Sequence, residues 1–146
     1  MANIKHFEDI EAWETVRQFT VLVYRLTEQG AFSKDFGLKD QIRRAAVSVM
    51  SNIAEGFESQ TQAQFVRYLG HAKALAGEAR SQLYVALDIR YLTKDQFEQA
   101  FDLADKVIRQ IYRFMSYLES HPESRRVSED QAEYNVKTWE RGNLET

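Results

Sequence analysis

The sequence predicts an all-α fold, an antiparallel up-down-up-down four-helix bundle, and three observations carry that reading. The lone proline is Pro122, so no helix-breaking ring interrupts the residues before it. Apolar residues recur at three- and four-residue steps along four long segments. The links between those segments are short and flanked by capping residues, which forces sequential helices to lie antiparallel. A chain of 146 residues suits one domain with a proper core. The predicted bundle occupies residues 1–120, and residues 121–146 form an acidic tail.

The first helix is predicted over residues 10–29. Ile10, Trp13, Val16, Phe19, Val23 and Leu26 mark its buried face, Asp9 is its candidate N-cap, and Gly30 its C′ residue. The second is predicted over 38–57, with Leu38, Ile42, Ala45, Ala46, Val49, Ile53 and Gly56 in one narrow stripe. The third is predicted over 62–90. Thr61 followed by Gln64 reads as a capping box, and Phe65, Tyr68, Leu69, Ala72, Leu75, Ala76, Ala79, Leu83, Ala86 and Leu87 form its core face. Gly70 and Gly77 each cost about 1 kcal/mol inside a helix, and among so many alanines they predict a close helix–helix approach. The fourth is predicted over 94–120, opened by a second capping box, Thr93 and Gln96, and stopped before Pro122. Its stripe is Phe97, Phe101, Ala104, Val107, Ile108, Ile111, Phe114, Met115 and Leu118. Val21, Leu22, Tyr24, Tyr112 and Tyr117 exceed what one seam needs and predict a homo-oligomer that buries a second face.

Charge divides the chain. The formal net charge is −3, yet residues 1–118 carry 15 basic and 15 acidic groups, so the tail supplies the whole excess. The tail holds Glu123, Glu129, Asp130 and Glu133 with few apolar residues, a composition predicted to be disordered apart from a docking turn at Tyr134–Trp139. Neither a secretory leader nor a membrane span is predicted, and a cytoplasmic, bacterial protein is the expectation.

Most site chemistries find no support. There is no cysteine, hence no thiolate ligand or cysteine nucleophile. A carboxylate-bridged di-metal bundle needs Glu-x-x-His motifs, and none occurs; His6, His71 and His121 are scattered. No phosphate-binding loop, nucleophile elbow or zinc-protease motif is present. The expectation is a protein that is not an enzyme, with no metal and no cofactor.

One stretch of the second helix is unusual. Arg44, Ser48, Ser51 and Glu55 fall on one side, opposite the apolar stripe, with Asn52 at the edge. Serine is a mediocre helix former, so its repeated use suggests either a simple solvated face or a seam that allows close approach with hydrogen bonding.

Residues 36–59, FGLKDQIRRAAVSVMSNIAEGFES, closely resemble the signature of the 23S rRNA intervening-sequence proteins. Gln41, Arg43, Arg44, Ala45, Ala46, Ser48, Ser51, Asn52, Ile53, Ala54, Glu55 and Gly56 all match its pattern. Phe7–Trp13, Phe65, Arg67, Tyr68, Leu69, Glu78 and Leu83 are similar to flanking positions, so the resemblance covers about residues 4–118. The chain departs from it at Ala31-Phe32-Ser33, where the family has Phe-Pro, and at Leu75-Ala76-Gly77-Glu78, where the family has Gly-Ser before the glutamate. The resemblance implies a homo-oligomer, a pentameric ring of bundles, in a family distantly related to the accessory protein of diversity-generating retroelements.

Two functions follow as expectations. The first is a non-catalytic oligomeric bundle of poorly defined role that binds nucleic acid, structured RNA or rRNA, through Lys39, Arg43, Arg44, Arg67, Lys73 and Arg80. The second is a protein-interaction adaptor or scaffold without direct nucleic-acid binding, whose polar face is Arg44, Ser48, Ser51, Asn52, Glu55 and Glu78; Arg44 and Glu55 sit in charge-assisted bonds at a neighbour or partner, with Glu78 engaging Arg44.

Overall fold

The computed structural model describes residues 4–122. The tail beyond Pro122, with its predicted disorder and docking turn, lies outside the described residues. Four helices run in sequence: α1, Glu11–Thr27; α2, Phe36–Glu58; α3, Gln62–Asp88; and α4, Lys94–Ser120. Short 3-10 turns at Phe7–Asp9 and Gly30–Lys34 precede α1 and α2. There is no strand among the described residues.

Long-range contacts fix the antiparallel order. Thr20 and Thr27 of α1 meet Met50 and Arg43 of α2, so numbers rise on one helix as they fall on the other. Gln62 donates to the Leu118 carbonyl and Arg80 to Asp105, which gives α3 and α4 the same relation. The α4 residue Gln96 reaches Gln29, just past the end of α1, and α4 packs along α1 to close the ring of four.

The helix bounds differ slightly from the sequence expectation. The first helix begins at Glu11, because Asp9 accepts from the Lys5 and His6 amides and caps the preceding 3-10 turn instead. It ends at Thr27 rather than residue 29: the Glu28 amide bonds back to Arg25 and Leu26, and Gly30, at φ +52°, opens the next turn. The second helix starts two residues earlier than expected, at Phe36, because Asp35 accepts from the Leu38 amide as its N-cap. The third ends at Asp88, and Arg90 adopts the left-handed conformation at φ 65° while the Tyr91 amide returns to the Ala86 carbonyl. Both predicted capping boxes are formed, Thr61 with Gln64 and Thr93 with Gln96.

The core alternates large and small. Phe19, Phe32, Ile42, Ile53, Leu69, Leu83 and Ile111 are among its largest fully buried side chains, and Ala46, Ala72, Ala79, Ala86 and Ala100 are sealed between them. Phe57, Phe65 and Phe114 make an edge-to-face chain where α2 turns into α3.

The close approach of α2 and α3 falls at a different glycine from those expected. A Cβ on Gly56 would lie 2.7 Å from Tyr68 Cβ and 3.0 Å from Phe65 Cδ1. A Cβ on Gly70 would meet only Met115 Cε at 3.8 Å, and at Gly77 it would meet nothing within 4 Å. Gly70 and Gly77 therefore do not mark tight packing within one chain. They lie on the outward-turning side of α3, where spacing alone cannot separate a packed glycine from an open one.

Candidate functional site

The family-like stretch of α2 divides into two sets of residues. Ala45, Ala46, Ile53 and Gly56 are buried and build the bundle. Arg43 builds it too, in a way its neighbour does not. Its Nε donates to Thr27 Oγ1 at 2.8 Å, and one terminal nitrogen reaches the Tyr24 carbonyl at 3.3 Å and the Glu28 carboxylate. The guanidinium also lies 4.3 Å from the centroid of the Tyr24 ring. Thr27, itself fully buried, passes the contact on by donating to the Val23 carbonyl at 2.7 Å. Lys39 adds a second cation to Glu28 at 3.3 Å. Bonding from Arg43 first, then Lys39, holds the Glu28 carboxyl below its ordinary value of 4.5. This set clamps α1 to α2. Its sequence signal was Tyr24, Thr27 and Glu28 at helical spacing on α1 opposite a basic residue.

Arg44, one residue on, turns about 100° away and faces solvent. Its side chain is 81% exposed and its ion pair with Asp40 is a loose 3.7 Å, so its partner here is neither Glu55 nor Glu78. Eleven residues separate Arg44 from Glu55, about 16 Å along one helix, too far for a bond within the chain. Ser51 and Glu55 are exposed further along the same side of α2, and Ser48 is half-buried. Asn52 donates to the Ser48 carbonyl at 2.8 Å, satisfying itself on its own helix. Glu78 is exposed and accepts from the Gln82 amide nitrogen at 3.2 Å, while the amide oxygen of that buried glutamine meets no donor.

The six basic candidates do not converge. Lys39 and Arg43 sit in the α1–α2 seam with Glu28 between them. Arg80 is bound to Asp105 at 3.2 Å in the α3–α4 seam, and Lys73 lies 5.3 Å from the Tyr112 ring there. Arg44 and Arg67 are the exposed members of the set. His71 is exposed as well, and no group of three histidine, aspartate or glutamate side chains comes together among the described residues. No helix is long and apolar enough to cross a membrane among those residues.

Large apolar groups remain outside. Phe36, Val47, Tyr84, Val85 and Ile89 are exposed on or just beyond α2 and α3, and Val21 and Tyr24 on α1 and Tyr112 on α4 are exposed too, whereas Leu22 and Tyr117 are half-buried.

No curated protein matches the chain. Among solved structures, the chain is similar to a protein of unknown function from the S23 ribosomal protein family of Bacteroides thetaiotaomicron VPI-5482. The two share 23% identity at a TM-score of 0.67, over 72% of this chain and 95% of that one, a likeness of fold. The model of the 23S rRNA-intervening sequence protein family matches residues 8–113, most of the bundle from the first turn into α4, and the chain belongs to that family.

Proposed function

We propose that this chain is a non-catalytic helical scaffold that works through protein contacts on the outer face of α2 and α3, in the first place with copies of itself. The observation that carries the reading is the position of Arg44, Ser51 and Glu55. They belong to the family-like stretch, yet they face solvent and do nothing for the single bundle beyond one loose ion pair. Exposed Val47 on α2, Val85 on α3 and Ile89 just past its end supply apolar area, and the small residues between the charges permit close approach of another helix. A pentameric ring is the expected assembly. Arg44 and Glu55, too far apart to meet within one helix, are available to meet across a joint between copies. Nucleic acid is the weaker reading, because three of its six candidate cations are already bound to Glu28 or Asp105.

Light scattering of wild type, Arg44→Glu and Ser51→Trp tests the proposal. Wild type should run at several times the chain mass, and each variant should fall toward one chain while keeping its helical circular dichroism. A wild type of single-chain mass, or an assembly indifferent to both substitutions, overturns it. Titration with rRNA fragments separates the other reading: salt-sensitive binding lost in Arg44→Glu/Arg67→Glu favours nucleic acid.

A further inference from the structure

The outer side of α4 carries a charge pattern unlike that of the other helices. Asp95, Glu98, Asp102, Lys106, Arg109 and Arg113 follow one another at steps of three and four residues, and all six are exposed. At 100° per residue they fall in one stripe about 80° wide. Three acids are followed by three bases, and the order is nearly symmetric about Ala104. Asp102 and Lys106 lie two residues either side of it, Glu98 and Arg109 six and five, and Asp95 and Arg113 nine. Reversing the stripe end for end therefore sets every acid opposite a base.

Interactions within the chain do not account for it. The helix dipole favours acids and bases only in the first and last turns, and the change of sign at Asp102 and Lys106 falls near the middle of a 27-residue helix. Within 4.0 Å, Arg109 pairs with Asp105, but Asp95, Glu98, Asp102, Lys106 and Arg113 have no ion-pair partner among the described residues. The charges of α2 lack the pattern: end-for-end reversal would set Asp40 against Glu58.

We propose that this stripe is an interaction surface for a second copy of the chain, with two α4 helices packed antiparallel about a two-fold axis near Ala104. The axis makes each contact occur twice, Asp95 with Arg113, Glu98 with Arg109 and Asp102 with Lys106, over a stripe about 27 Å long. The face is polar and each pair is solvated, so the association is weak and sensitive to salt. It is independent of the α2–α3 face and joins whatever assembly that face makes.

Sedimentation velocity of the full chain at about 50 mM and about 500 mM NaCl tests it, since the higher salt shortens the reach of surface charges several-fold. The weight-average mass of wild type should approach twice its high-salt value at low salt. D95K/D102K and K106E/R113E, which leave the internally paired Arg109 alone, should each lose the low-salt species, and an equimolar mixture of the two should regain it. A wild-type mass equal at both salts, or a mixture that stays at the mass of the separate variants, overturns the proposal. Where a reversed-charge variant loses helicity, D95N/D102N and K106Q/R113Q replace it, and a low-salt species that survives both sets overturns it as well. Failure at the α2–α3 face would instead appear in the high-salt mass.

Discussion

Replacing Gly56 by alanine should destabilise the protein, although the same change in an exposed helix stabilises. The added Cβ would stand 2.7 Å from Tyr68 Cβ, 3.0 Å from Phe65 Cδ1 and 3.4 Å from the Phe65 carbonyl oxygen. Carbon atoms at rest need about 3.5–4.0 Å, so α2 and α3 must part by nearly 1 Å. No flexible tip can move aside, because Tyr68 Cβ is fixed to the backbone. With one contact at 2.7 Å and another at 3.0 Å the cost falls in the upper part of the usual range for overpacking, about 2–3 kcal/mol, and the gain in helix propensity returns about 1 kcal/mol. The expected net loss is about 1–2 kcal/mol, a fall of several degrees in Tm for a domain of this size. Gly77→Ala is the matched control: its Cβ meets nothing within 4 Å, so it should gain about 0.5–1 kcal/mol. Urea denaturation followed by far-ultraviolet circular dichroism reads both. Gly56→Ala as stable as wild type would refute the close approach. A destabilising Gly77→Ala would mean that something outside the single chain covers that side of α3.

Arg43→Met should cost about 1–3 kcal/mol, because it removes the donor to the buried Thr27 oxygen and the first of the two cations on Glu28, while Arg44→Ala should stay within about 0.5 kcal/mol for the unassembled chain; the two melts side by side check it. Glu28→Gln should be less stable than wild type above pH 4.5. Because the folded-state value is depressed, that difference should vanish as pH falls through it, which acid titration of both proteins measures. Tyr91 donates to Asp35 at 2.9 Å, and that bond, with burial, lifts the phenol above 10.0. The stability it lends is whole below that pH and disappears as pH rises through the folded value, and it should be missing at every pH in Tyr91→Phe. Arg90→Gly should stabilise by about 0.5–1 kcal/mol by relieving the left-handed backbone, read as a higher Tm.

The helices were legible because two kinds of local signal agreed. Thr61 and Thr93, each followed by glutamine three residues on, opened α3 and α4 as read, since a capping box is satisfied by residues adjacent in sequence. Asp9 misled for a related reason: its carboxylate had two nearby sets of amides to choose from, and it took the earlier turn. Arg43 was harder still. Helical spacing set Arg44 opposite the apolar stripe, but Arg43 stood beside it among the nucleic-acid candidates, and only the position of α1 showed that it is a clamp. A rotation of about 100° put one on Thr27 and Glu28 and left the other in water.

By itself the sequence determined the helical class, the order and nearly the length of four helices, the two capping boxes and the family motif. Those properties follow from backbone periodicity and from bonds between residues a few positions apart. The tertiary structure decided which glycine marks a close approach, which arginine is structural, and which charges are left facing outward. These depend on how each helix is rotated against its neighbours. A stripe of small or charged residues has the same spacing whether it is packed or open, so only the packed bundle separates Gly56 from Gly77, Arg43 from Arg44, and a cation already neutralised from one still available to a partner.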